Sequence, residues 1–232
     1  MIRIYKNSTR KTTQTAVFRS FSTFKTENLP KNEFFVQVCN EDTLKTGAKE
    51  VFTLPLHHCL LVLPLAGGVF YQNEDRTDGS FIDIGEATLL SKPKAHIYTL
   101  SNEYDTDDYE INNEIITPQP EPLLISFLQI QWFSSNKITL QEHSVFDFNK
   151  TPNTLISLFP TVFIGKYAGR HEDVFSIENP KSDVFVLVIE GAFEVDNRLV
   201  ETKDALSFSG RTEGIEFEAL SEGAILLIIV EN

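Results

Sequence analysis

The chain repeats itself. Leu61-Val-Leu-Pro-Leu-Ala-Gly67-Gly-Val-Phe-Tyr71 aligns without gaps on Phe185-Val-Leu-Val-Ile-Glu-Gly191-Ala-Phe-Glu-Val195. Ile84–Leu90 then matches Thr202–Phe208, Ile97–Ser101 matches Phe217–Ser221, and Ile125–Trp132 matches Ala224–Glu231. Blocks kept in one order point to duplication of a supersecondary unit: strand, glycine turn, strand, loop, strand, turn, strand, strand.

The rest of the pattern agrees with β structure. Short apolar or alternating runs, bounded by Gly, Pro, Asn or Asp, recur from Phe34–Cys39 to Ala224–Val230. Such spacing marks an all-β sandwich or barrel. Phe supplies 19 residues, and Phe, Val, Ile and Thr suit pleated, half-buried surfaces. The one helical candidate is Thr151–Phe159, where Pro152 suits a first helical turn. Asn102–Pro122, acidic and then proline-rich, reads as a loop, and Ser134–Pro160 reads as a connection. The expected organisation is an N-terminal barrel over 1–133, a linker with a short helix over 134–160, and a C-terminal barrel over 161–232.

Composition excludes several classes. A formal charge of −13 with no basic stripe argues against nucleic acid. Two cysteines, Cys39 and Cys59, are too few for a disulfide framework, so both are expected to be reduced. No apolar h-region follows Met1, and the longest apolar run, Ala224–Val230, is far short of a membrane span. The expectation is a cytoplasmic protein with no membrane partner.

The repeat blocks also carry a family likeness. Phe163-Ile-Gly-Lys-Tyr-Ala-Gly-Arg-His-Glu172, Val184-Phe-Val-Leu-Val-Ile-Glu-Gly-Ala-Phe-Glu-Val195, Lys203-Asp-Ala-Leu-Ser-Phe208 and Ile225-Leu-Leu-Ile-Ile-Val230 resemble the second barrel of pirin-like bicupins. Asn40-Glu-Asp42 with Gly47 resembles the segment that leads into the first barrel's metal strand. The resemblance implies two tandem jelly-roll barrels. It also implies a divalent metal in the first barrel, held by a His-x-His pair, a Glu and a later His.

Those ligands are mostly missing. Counting between Gly47 and Gly67, the His-x-His positions fall at Thr53 and Pro55, and the Glu position at Cys59. The later His is matched by His96, with Tyr98 at a further ligand position. His57 shares strand parity with Thr53 and Cys59 and would point inward, leaving His58 outward. Thr53, His57, Cys59, His96 and Tyr98 are therefore the pocket-lining candidates. A displaced metal site of His57, Cys59 and His96 is the one alternative, since imidazole and thiolate suit zinc or iron. No catalytic residue is assigned and no cofactor is expected; any cofactor would be a single Fe, Ni, Mn or Zn ion.

Other features read as structure. His171-Glu172-Asp173 is a solvated turn, Gly67-Gly68 a hairpin, and Trp132 core. Asp105–Asp108 lacks the glycine and terminal glutamate of a calcium loop. Three functions follow from the resemblance: a metal-free small-molecule-binding or interaction module, a metal-dependent quercetin 2,3-dioxygenase, or a transcriptional co-regulator acting through protein contacts.

Overall fold

The structure, a computed structural model, describes residues 1–24, 35–74, 79–91, 94–104, 123–134, 140–210 and 214–231. Most of the Asn102–Pro122 loop, including Asp105–Asp108, lies outside the described residues. In chain order the strands are β1 Ile2–Tyr5, β2 Lys11–Gln14, β3 Phe18–Ser22, β4 Val36–Lys45, β5 Lys49–Leu54, β6 His58–Ala66 and β7 Val69–Asn73. Next come β8 Gly79–Ile82, β9 Glu86–Ser91, β10 His96–Ser101, β11 Leu124–Phe133, β12 Leu140–Val145, β13 Ile156–Phe159 and β14 Val162–Tyr167. The chain closes with β15 Glu172–Phe175, β16 Asp183–Glu190, β17 Ala192–Val195, β18 Arg198–Glu201, β19 Ala205–Phe208, β20 Ile215–Ala219 and β21 Ala224–Glu231. The fold is all-β, with one short 3-10 turn at Asn7–Thr9 among the described residues. No helix among them is long and apolar enough to cross a membrane.

Two compact units emerge. The first comprises Lys11–Ser22 and Val38–His143; the second comprises Met1–Arg10, Thr23–Gln37 and Ser144–Asn232. The expected division at 133 and 160 is therefore corrected at the N-terminus. Met1–Arg10 belongs with the C-terminal barrel, because β1 pairs with β19 from Ile2↔Phe208 to Tyr5↔Ala205.

Sheet order shows why the sequence repeats. The first unit has sheets β12-β9-β6-β11-β4-β3-β2 and β5-β10-β7-β8. The second has β1-β19-β16-β21-β14-β13 and β15-β20-β17-β18. The central orders β9-β6-β11-β4 and β19-β16-β21-β14 are one topology used twice, as are the two four-stranded sheets. Gly67 and Gly191 turn the equivalent hairpins at φ +67° and +80°, a region that side chains disfavour. A Cβ at Gly67 would also stand 2.7 Å from Ile125, and at Gly191 2.8 Å from the Ala224 Cβ.

Alternation along the strands fills each core. In the second unit Val184, Val186, Val188, Phe193, Leu226 and Ile228 meet inside. In the first, Leu60, Val62, Val69, Tyr71, Ile125 and Phe127 do so.

The helix expected over Thr151–Phe159 does not form. Ile156–Phe159 is strand β13, paired with β14. The preceding residues form a turn pinned to β14: the Asn153 N–H donates to the Lys166 carbonyl at 3.0 Å, and Asn153 Oδ1 accepts from the Ala168 N–H at 2.7 Å. With Asn153 at φ +55°, the helical ladder is interrupted in its first turn. Cys39 and Cys59 are buried and form no disulfide. Thiol titration of the unfolded protein under non-reducing conditions should therefore find both; a value near zero would contradict the structure.

Candidate functional site

The interior of the first unit is the place to look, and strand register decides what enters it. On β10, His96 and Tyr98 are buried and share a face with Leu100 of the core. Opposite them on β5 stand Leu54 and Phe52, so Thr53 pairs with Ile97 and both face outward, exposed. Residues Pro55–His57 are a turn rather than strand: His57 has φ +61° and is half-buried, and the His58 N–H returns to the Pro55 carbonyl at 3.2 Å. This break resets the parity. β6 begins at His58, which shares the inward face of Leu60 and Val62, while Cys59 lies on the opposite face.

The five candidates therefore separate. His96 and Tyr98 come together inside the barrel, and Thr53, His57 and Cys59 do not join them. The displaced His57–Cys59–His96 site is corrected on the same ground: the turn at Pro55 puts Cys59 on the far side of its strand. Among the described residues no group of three or more His, Cys, Asp or Glu is placed to hold an ion.

A buried hydrogen-bonded chain occupies the polar end of this interior. Gln129 Nε2 donates to Asp42 Oδ2 at 2.9 Å. The Tyr98 hydroxyl donates to Gln129 Oε1, and Gln131 Nε2 donates to that hydroxyl at 3.0 Å. Beside them His96 Nε2 and the Tyr71 hydroxyl are 3.2 Å apart. The rings pack as a stack, with Tyr98 5.6 Å from Phe52, 6.0 Å from Tyr71 and 6.3 Å from His96. Asp42, Tyr71, Tyr98, His96, Gln129 and Gln131 are all buried. Burial raises the Tyr98 hydroxyl far above the ordinary tyrosine range, and the charges of Asp42 and Tyr71 add to the rise. The Gln131 hydrogen bond opposes it only in part. Tyr98 is thus a neutral phenol, a donor rather than an anionic ligand.

Asp42, Gln129, Gln131 and Tyr71 had no place among the sequence candidates. A signal existed: Gln129 and Gln131 follow Ile125 and Phe127 on one face of an otherwise apolar strand, where a polar side chain needs a partner.

The second unit shows what the same positions hold without such a chain. Gln129 pairs with Val62 and Gln131 with Leu60, while Ile228 pairs with Val186 and Val230 with Val184. Since Val62 and Leu60 are equivalent to Val186 and Val184 in the repeat, Gln129 stands where Ile228 stands, and Gln131 where Val230 stands. Tyr71 is likewise equivalent to Val195. Leu100 pairs with Tyr71, and Phe217 with Val195, which makes Tyr98 equivalent to Ile215. Four buried polar positions in one barrel are apolar in the other.

No protein-family model and no curated protein matches the sequence. Solved structures do match. YhhW from Escherichia coli superposes with a TM-score of 0.74 at 18% identity, over 99% of this chain and 97% of that one. The bacterial pirin YhhW in complex with nickel(II), also from Escherichia coli, gives 0.73 at 18%, over 99% and 98%. The fold is that of the pirin-like bicupins. A quercetin 2,3-dioxygenase from Acinetobacter baumannii gives 0.69 at 12% identity, over 99% of this chain and 85% of that chain.

A pirin-like metal centre does not fit the residues of this pirin-like chain. The facing i, i+2 pairs that close the polar end are Phe52 with Leu54 and His96 with Tyr98. Of these four only His96 is a divalent-metal donor at neutral pH; with the inward His58, whose Nδ1 lies 2.9 Å from the Leu56 carbonyl, that makes two imidazoles, fewer than the about three protein donors a catalytic ion needs. Asp42 and the glutamines are engaged with one another instead.

Proposed function

We propose that this pirin-like bicupin binds a small molecule at the polar end of its first barrel without a resident metal ion. The observation that supports this is the asymmetry of the two barrels. Ile215, Ile228, Val230 and Val195 build the second core, so the fold does not require polar side chains at those positions. Burying Tyr98, Gln129 and Gln131 instead carries a desolvation cost of about 1–3 kcal/mol for each group left unpaired. Polar groups set convergently in an otherwise apolar barrel are what a ligand pocket contains. The concavity on the second unit's four-stranded sheet carries Glu172, Asp173, Glu194, Asp196, Glu216 and Glu218. That face would repel a polyanion, which supports the expectation that nucleic acid is not the partner.

A metal-dependent dioxygenase of the quercetin 2,3-dioxygenase kind is the second reading, favoured by the inward imidazole of His96. Loading separates the two. Protein is mixed with a slight excess of ferrous, nickel, manganese or zinc ion, desalted and analysed for metal, and assayed for quercetin oxidation. Retention far below one ion per chain and no turnover are expected. Near-stoichiometric retention that is lost in His96→Ala would overturn the metal-free reading.

A further inference from the structure

The chain of hydrogen bonds has a direction, and it leaves one acceptor at its end. A carboxylate can only accept, so Gln129 turns its NH2 group to Asp42 and leaves its carbonyl oxygen towards Tyr98. Tyr98 has one proton, and it goes to that oxygen. The phenol's lone pair then faces Gln131, which must present its NH2 group. Each link fixes the next. The carbonyl oxygen of Gln131 is what remains, and the side chain's only hydrogen bond among the described residues is the one from its nitrogen. Gln131 is 6% exposed, on the inward face of β11, so this oxygen ends the chain as an acceptor with no protein partner among the described residues.

Resting on the binding reading above, we propose that the ligand donates a hydrogen bond to Gln131 Oε1 and therefore belongs to the hydroxyl, amide or ammonium compounds rather than to the carboxylates or phosphates. An acceptor atom placed against this oxygen would set lone pair against lone pair where the ligand has displaced water. The orientation cannot be reversed cheaply, because turning the Gln131 amide over sets its oxygen against the Tyr98 lone pair and strips that phenol of its donor. Aromatic rings from Phe52, Tyr71, Tyr98 and His96 around the polar end favour a planar ligand body.

Matched aromatic probes test this on the whole chain: phenol, benzamide and benzylamine as donors, benzoate and phenyl phosphate as acceptors. Side-chain amide and imidazole resonances of Gln131 and His96 report binding by NMR titration. The donors are expected to perturb Gln131 and bind about tenfold or more tighter than the anions, the difference of one satisfied against one frustrated buried bond. Gln131→Met should bring the donors down to the level of the anions. Benzoate or phenyl phosphate bound at these residues as tightly as the donors would overturn the ligand class and leave the binding reading standing. So would donor binding undiminished in Gln131→Met. If none of the five probes perturbs Gln131 or His96, the binding reading itself falls and the ligand class with it.

Discussion

Asp204→Ala is expected to lower the stability of the second unit by about 3 kcal/mol. Asp204 is 2% exposed, at the turn between β18 and β19. Its Oδ1 accepts from the Asn7 N–H at 2.7 Å, and its Oδ2 from Lys6 Nζ at 2.6 Å and the Glu201 N–H at 3.1 Å. One carboxylate thus holds the segment after β1 against the turn that starts β19, the strand to which β1 is paired. Removing it leaves the Asn7 and Glu201 N–H groups without their acceptor. Lys6 matters less: its side chain is 42% exposed and can return to water. Lys6→Met should accordingly cost under about 1 kcal/mol, as partly exposed ion pairs do. Urea unfolding measures the loss, and hydrogen exchange at β1 and β19 locates it. Equal losses in the two variants would mean that the ion pair, not the backbone cap, holds the segment.

The same turn shows what a sequence can and cannot disclose. The repeat was legible because Gly67 and Gly191 are needed where the hairpin backbone is left-handed, and because β16 and β21 are apolar on both faces. That β1 crosses to the second unit was not legible, since Ile2–Tyr5 carries no mark of its distant partner β19. Strand β2 is exposed along its whole length and shows no alternation at all; only pairing with β3 makes it a strand.

For the site, everything turned on one residue of parity. Reading Thr53 through Cys59 as continuous strand sends His57 inward, but the left-handed His57 after Pro55 ends β5 and restarts the alternation at His58. The ungapped match of Ile97 to Phe217 failed for a related reason. Hairpin pairing places Leu100, not Ile97, at the position of Phe217, so the loops before β10 and β20 differ in length. His96 and Tyr98, taken as candidates from the resemblance, share an inward face because β10 is regular. Gln129 and Gln131 were not among the candidates. Their meaning came only from Asp42, 87 positions away along the chain from Gln129.

Tyr98 leads to the second large effect, a loss of stability in alkali that each unit reports separately. Burial raises the hydroxyl of Tyr98 in the first unit and of Tyr167 in the second well above the ordinary tyrosine range. For Tyr167 the neighbouring Asp173 raises it further, by its charge and by accepting the hydroxyl hydrogen bond at 3.1 Å. A group whose folded pKa is raised contributes its full stabilisation below the unfolded value of about 10, and loses it as pH climbs from there towards the folded value. The unfolded chain releases a proton that the folded chain keeps. At pH 11 this costs about 1.4 kcal/mol for each tyrosine. Lysine deprotonation also weakens the protein in alkali, so the phenylalanine variants carry the test. Tyr98→Phe strands Gln129 Oε1 and the Gln131 amide and should cost about 1–3 kcal/mol at pH 7. Between pH 9 and 11 its deficit against wild type should shrink by that same ~1.4 kcal/mol. Trp132, the single tryptophan, lies in the first unit and reports its unfolding by fluorescence. Tyr167→Phe should leave that transition unchanged and narrow the pH dependence of the second. These two should show no tyrosinate absorbance until their unit unfolds. A deficit for Tyr98→Phe that stays constant from pH 9 to 11 would mean that the folded protein ionises Tyr98 as readily as water does. The hydrogen-bonded chain from Asp42 to Gln131 could not then be as dry as its burial implies.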